Sequence, residues 1–190
     1  MDKLIRDITS RYQPVSLDEM DSVKLLDRVE TKFIFNLEKL PALLSLMEPG
    51  YRILEIAGNR IHAYDTLYFD TPGLNLYRLH YQGKLNRYKI RFRRYCDSEL
   101  FFFEIKFKNN KGRTIKRRVK HPGFSKVIEG KAEKLMRECT PIDPASLVPV
   151  LETRYNRMTF VNHDLTERIT LDTGLAFCNN GKEMAMARLC

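Results

Sequence analysis

From Arg87 to Arg93 the chain reads Arg-Tyr-Lys-Ile-Arg-Phe-Arg, an unbroken alternation of cationic and apolar side chains. Successive side chains of a strand point to opposite faces. The pattern therefore predicts a strand with Arg87, Lys89, Arg91 and Arg93 on one face and Tyr88, Ile90 and Phe92 on the other. Phe102 to Lys108 repeats it, with Glu104, Lys106 and Lys108 opposite Phe103, Ile105 and Phe107. Asn109-Asn110-Lys111-Gly112 supplies a turn, and Thr114 to Val119 returns as a third strand, carrying Lys116 and Arg118.

The charge of these strands is local. Between Lys84 and Lys120 lie fourteen Lys and Arg against Asp97, Glu99 and Glu104, a net +11 in a chain whose total is +9, so the remainder is slightly acidic. A half-buried antiparallel sheet normally turns a solvated polar face outward, and that is the plain reading of any one strand. Such faces usually mix signs, however, and like charges on neighbouring strands repel. Nearly unmixed positive charge on adjacent strands calls for an anionic partner, such as a phosphate compound, a nucleic acid or a membrane surface.

The remaining segments predict an α+β protein. Ser16-Leu17-Asp18-Glu19 has the form of a capping box opening a short helix. Leu25 to Phe35 reads as a strand with Arg28, Glu30 and Lys32 on one face. Asn36 is placed to cap a helix over Leu37–Met47, with Leu40, Leu43, Leu44 and Met47 as its core stripe. Tyr51–Ile56 and Ile61–Phe69 flank Ala57-Gly58-Asn59-Arg60 as a hairpin, and a short helical stretch containing Leu74 and Tyr77 follows Asp70-Thr71-Pro72-Gly73. Phe124–Cys139 suits a helix and Thr140–Pro144 a loop. Val150–Val161 and Glu167–Leu171 complete a tally of about eight strands, adding Arg154, Arg157 and Arg168. A sheet of that size can close on itself, and closure with the charged faces inward would make a polyanion-binding tunnel. With 190 residues, the expectation is one domain.

Other classes are disfavoured. No run approaches the roughly 18 apolar residues of a membrane span, and the N-terminus lacks a signal-peptide apolar region, so a cytoplasmic location is expected. Cys96, Cys139, Cys178 and Cys190 form no Cys-x-x-Cys pair and read as reduced thiols, while His62, His80, His121 and His163 show no metal-ligand spacing. Single-strand nucleic-acid binders need stacking aromatics beside their cations. Tyr88, Phe92, Phe103 and Phe107 lie on the opposite face, so nucleic acid is not the expected partner.

Seven motifs occur in order: Arg28-x-Glu30-x-Lys32, Tyr68-Phe69-Asp70-Thr71, Lys89-Ile90-Arg91-Phe92-Arg93, Phe103-Glu104-Ile105-Lys106, Lys116-x-Arg118, Tyr155-x-Arg157 and Arg168-x-Thr170-Leu171-Asp172. Taken together, from about Leu25 to Phe177, they resemble the VTC domain, the polyphosphate polymerase domain of the triphosphate tunnel metalloenzyme superfamily. The resemblance implies an antiparallel β-barrel of about eight strands with flanking helices, its basic tunnel gripping ATP, triphosphate or polyphosphate. It implies transfer of the ATP γ-phosphoryl group to a polyphosphate chain, with Mn²⁺ or Mg²⁺ as cofactor. Relatives in the superfamily hydrolyse triphosphates or cyclise ATP. Carried over by motif, Lys32, Arg91, Arg93, Lys106 and Arg157 are the expected catalytic contacts, Lys89, Lys116, Arg118 and Arg168 further substrate-binding residues, and Glu30 and Glu104 metal ligands.

The chemistry of the residues agrees with that resemblance, because phosphoryl transfer asks for cations around the transferred group and for no protein nucleophile. In the family a last strand with a Glu-x-Lys element completes the tunnel. Ala185 to Cys190 does not carry it, so the expectation is a single domain over 1–190, truncated at its C-terminus. Two further readings are a triphosphatase of the same superfamily and a non-catalytic module that binds polyphosphate or nucleic acid.

Overall fold

The computed structural model describes residues 2–22, 30–179 and 181–186. In chain order the elements are α1 (Asp2–Thr9), β1 (Pro14–Val15), α2 (Leu17–Ser22), α3 (Leu40–Met47), β2 (Tyr51–Leu54), β3 (His62–Asp70), α4 (Asn75–Tyr81), β4 (Arg87–Tyr95), β5 (Leu100–Lys108), β6 (Thr114–His121), α5 (Gly130–Cys139), β7 (Val148–Asn162), β8 (Arg168–Asn179) and β9 (Lys182–Ala185). The protein is α+β, as expected, and rich in strands. They are mixed rather than purely antiparallel, since β1 runs parallel to β2. No helix among the described residues is long and apolar enough to cross a membrane.

The chain divides into two compact units. The first comprises Met1–Ala63, Tyr155–Leu175 and Ala185–Cys190. Its core gathers Ile5 and Ile8 of α1, Leu40, Leu44 and Met47 of α3, Ile53 of β2, Met158 and Phe160 of β7, and Leu171 of β8. The α3 stripe is the one the sequence predicts, but the helix starts at Leu40 and not Leu37: Asn36 caps a 3-10 turn over Leu37–Lys39, its side chain accepting from the Glu38 amide at 2.9 Å. The Ser16 capping box also forms: the Glu19 amide donates to Ser16 Oγ at 3.2 Å and the Ser16 amide to Glu19 Oε2 at 2.8 Å.

Two expectations for this unit are corrected. The strand predicted over Leu25–Phe35 falls partly outside the described residues, Arg28 included, and residues 30–35 are irregular. The hairpin predicted across Ala57–Arg60 survives only as a turn, closed by an Ile56–Asn59 bridge. Beyond it β2 pairs with β7, Ile53 opposite Phe160, and β3 pairs with β4. A tight turn brings two segments together locally, but the burial of Ile53 against Phe160 decides the strand partner.

The second unit comprises Tyr64–Arg154 and Ala176–Met184. Here β3, β4, β5 and β6 form an antiparallel run in which every neighbour in space is a neighbour in sequence. One face packs Leu67, Phe69, Ile90, Phe92, Phe103 and Ile105 against Ala132 and Met136 of α5. Phe92 and Phe103 are fully buried, 5.0 Å apart between ring centres. Helix α5 is shorter than predicted and starts at Gly130, not Phe124. Its φ of +59° lies in the left-handed region, and Ser125 Oγ accepts from the Val127 amide at 3.1 Å, a local alternative to helix upstream. Strand β9, which the sequence reading did not count, pairs with β8.

Candidate functional site

The cationic face is built by register. On the β4–β5 ladder Lys89 stands opposite Lys106, Arg91 opposite Glu104 and Arg93 opposite Phe102; on β5–β6, Lys106 faces Lys116 and Glu104 faces Arg118. Because strands alternate, these side chains share the face opposite the Phe92–Phe103 core. Six of the predicted cations, Lys89, Arg91, Arg93, Lys106, Lys116 and Arg118, are thus brought to one sheet face, with Glu104 as the lone carboxylate among them.

Burial grades across that face. Arg91 and Arg93 are 5% and 8% exposed and Glu104 is 0% exposed, whereas Lys106 is half-buried and Lys116 and Arg118 lie in solvent. A buried charge needs a partner, and buried Glu104 is paired with two cations, one buried and one exposed. Arg91 donates to Glu104 Oε2 through Nε at 2.9 Å and Nη2 at 2.6 Å, and Lys116 Nζ lies 2.7 Å from Oε1. Burial alone would raise the Glu104 carboxyl, but Arg91 and Lys116 override it and hold it down to about 2.

Three residues of β3 hold the arginines, and the sequence reading missed them as site residues. Tyr68 OH accepts from Arg91 Nη1 at 3.2 Å, Thr66 Oγ1 accepts from Arg93 Nε at 3.2 Å, and the Arg93 guanidinium lies 5.4 Å from the Tyr64 ring centre. Their signal is the alternation of Tyr64, Thr66 and Tyr68 with Asp65, Leu67 and Phe69. It is easily passed over because none of the three is charged. Phe102 is a fourth such residue, its ring 4.7 Å below the Arg118 guanidinium.

Lys106 sits among these cations. Burial, with repulsion from Arg91, Arg93 and Lys116 added to it and only Glu104 opposing, pushes its ammonium down to about 7. An anion placed over the face would relieve that repulsion.

The first unit holds the other candidates. Arg157 makes a two-pronged ion pair with Asp172, Nε to Oδ1 at 2.6 Å and Nη2 to Oδ2 at 2.7 Å, and its guanidinium lies 5.1 Å from the Tyr155 ring centre. Asp172 ends the last of the seven motifs but is not among the predicted site residues. Arg168 is exposed at the start of β8. Lys32 and Glu30 are exposed and paired with each other.

Each of the two predicted metal-ligand carboxylates is paired with cations in its own unit. Glu104 is occupied on both oxygens by cations and Glu30 is paired with Lys32. Among the described residues no group of three or more His, Cys, Asp or Glu side chains could hold a metal ion. Of the histidines, His62 is buried, His121 packs tilted against Phe92 with ring centres 4.6 Å apart, His80 meets Lys89 Nζ at 3.3 Å, and His163 lies 3.2 Å from the Pro49 carbonyl. Cys96, Cys139 and Cys178 are free thiols.

No curated protein matches the chain. Among solved structures, a Hippeastrum protein assigned as an adenylyl cyclase and described with a dominant triphosphatase activity is similar at 14% identity and TM-score 0.49, over 76% of this chain and 73% of its own. A Vibrio parahaemolyticus protein assigned as an adenylate cyclase is similar at 12% identity and TM-score 0.47, over 84% and 74%. A conserved hypothetical protein of Pyrococcus furiosus follows at 11% identity and TM-score 0.40, over 82% and 71%. The family comparison is of another order, matching residues 27–189, the stretch that holds all seven motifs. The chain belongs to the VTC domain family.

Proposed function

We propose that the cationic face of β4, β5 and β6 binds the phosphate chain of ATP or polyphosphate. The activity we propose is polyphosphate polymerase-like: the γ-phosphoryl group of ATP passes to the terminal oxygen of a polyphosphate chain. The bond from the γ-phosphorus to the ADP oxygen breaks, a new phosphoanhydride forms, and ADP leaves. Membership of the VTC domain family supports a phosphate-chain substrate. The observation that carries the reading is Lys106, a half-buried ammonium crowded by Arg91, Arg93 and Lys116, against which the fold sets one carboxylate. Such crowding disfavours the empty face and favours one covered by an anion.

In this reading Arg91 and Arg93 fork onto equatorial phosphate oxygens, and Lys106 places a point charge between them. Lys89, Lys116 and Arg118 of the same face hold the chain, and the family resemblance adds Lys32 and Arg157 as further catalytic contacts and Arg168 as a further substrate-binding residue. Fixed cations aimed at developing negative charge supply most of what phosphoryl transfer needs. The family resemblance brings Mn²⁺ or Mg²⁺ with it. Glu30 and Glu104 are both committed to lysine or arginine partners, so no step is assigned to a metal.

A ligand that binds only the folded state must raise the melting temperature. Tripolyphosphate is expected to raise it, with and without Mn²⁺, while orthophosphate and single-stranded DNA do not; equal shifts with all three would remove the phosphate-chain assignment. Incubation with ATP, followed by separation of products, then distinguishes chain elongation from release of orthophosphate, the triphosphatase outcome.

A further inference from the structure

The stretch from Pro72 to Asn86, which holds α4, stands out from the rest of its unit. Every residue in it is exposed except Leu76, which anchors the helix in the core. A segment so exposed ordinarily turns polar side chains to solvent, yet this one presents Leu74, Tyr77, Leu79, Tyr81 and Leu85. The two tyrosines are the most exposed of these, at 57% and 80%, and they stack one helical turn apart with ring centres separated by 6.2 Å. Leu74 is held at a φ of +56°, in the left-handed region that favours glycine, with its side chain exposed. Neither the backbone nor the core asks for a leucine there.

The charge of the segment is one-sided. From Thr71 to Cys96 the sequence has no Asp or Glu, and Arg78 and Lys84 are interspersed with the exposed apolar residues. Both cations are themselves exposed, and neither belongs to the cationic face of β4, β5 and β6.

We propose that Pro72–Asn86 is a docking element for an anionic lipid bilayer surface, its leucines and tyrosines entering the headgroup boundary while Arg78 and Lys84 meet the lipid anions. Tyrosine suits that depth, since its ring is apolar and its hydroxyl stays hydrated. Long cationic side chains lay their stems along apolar surface and keep their charge among the headgroups. The lack of carboxylates fits the same partner, because an anionic leaflet would repel them. A protein partner fits less well: lysine is depleted from protein interfaces, and Lys84 falls between Tyr81 and Leu85. A second copy docked through the same segment would set Arg78 and Lys84 against their equivalents.

The chain contains no tryptophan, so Tyr81→Trp introduces a single reporter at the most exposed of these rings. In the full chain carrying it, mixed phosphatidylcholine–phosphatidylserine vesicles are expected to shift the emission to the blue and brominated lipid to quench it, while phosphatidylcholine vesicles do neither. In vesicle sedimentation Y77S/Y81S, which leaves the charge unchanged, should bind the mixed vesicles at least about tenfold more weakly than the native protein, and R78Q/K84Q on the order of tenfold more weakly. Val127→Ser removes an exposed apolar side chain outside the segment and should bind within about twofold of native. Sedimentation that Y77S/Y81S leaves unchanged, with no blue shift at position 81, would put the lipid on the cationic face of β4, β5 and β6 and overturn the proposal. So would an equal loss in Val127→Ser, or no binding to mixed vesicles. Self-association of the native chain in place of vesicle binding, abolished in Y77S/Y81S, would assign the segment to a second copy and overturn it as well.

Discussion

Lys106 is where stability and the proposed chemistry pull in opposite directions. Its ammonium titrates near 7 in the folded protein, against about 10.4 in an unfolded chain. Between those values the unfolded state binds more protons, so native stability rises with pH from about 7 to about 10.4, and below 7 the penalty is fully present. Lys106→Met removes the charge at similar volume. The variant is expected to melt higher than the native protein at pH 7, the gap closing above pH 10, and to bind tripolyphosphate more weakly; a lower melting temperature at pH 7 would contradict the crowding argument. Arg93→Ala and Arg91→Ala should each weaken tripolyphosphate binding by about 1.5–3 kcal/mol, the scale of hydrogen bonds to charged groups, as read by titration calorimetry. Arg91→Ala should also lower stability, since Glu104 then stays buried without its main partner.

Elements are joined here by buried carboxylates. Glu104 ties β4 and β6 to β5 through Arg91 and Lys116. Breaking a buried pair by removing one partner costs about 3–5 kcal/mol, so Glu104→Gln should destabilise the protein by that order in urea unfolding. Its depressed carboxyl stabilises the native state fully above the ordinary glutamate range and loses that effect as pH falls toward 2, so the variant's stability should fall less steeply with acid. Asp70 does the same work for a helix. Its side chain is buried and accepts from the amides of Thr71 at 2.7 Å, Leu76 at 2.9 Å and Tyr77 at 2.8 Å, fixing where α4 begins. Asp70→Ala should cost about 1–2 kcal/mol, the range for a lost helix cap, and raise amide exchange across Asn75–Tyr81.

For the molecule as a whole, charge distribution is the property with the widest consequence. A segment of +11 in a chain of net +9 gives a strongly positive local field, so binding of any polyanion should weaken steeply with salt. Tripolyphosphate should also slow hydrogen exchange in β4, β5 and β6, the strands that carry the proposed cationic face. Uniform protection, or none in these strands, would disagree with that placement.

How much of this was legible in the sequence depended on whether the determining interaction was local. The alternation through Arg87–Arg93 and Phe102–Lys108 identified β4, β5 and their cationic face because the two-residue repeat of a strand is written into adjacent residues. The capping box at Ser16 and the stripe of α3 were legible for the same reason. Glu104 was placed on the correct face, but its engagement by Arg91 and Lys116 follows from cross-strand register, which no single strand encodes. Tyr64, Thr66 and Tyr68 were missed because support for a buried arginine comes from the next strand and carries no charge of its own. The hairpin expected between β2 and β3 failed because β2 buries Ile53 against Phe160, more than a hundred residues away. By itself, then, the sequence determined which residues alternate, where the positive charge lies and which family the motifs resemble. Only the tertiary structure decided which strands pair, which cations are buried and which carboxylate neutralises them, because burial and register arise from contacts between segments remote in the chain.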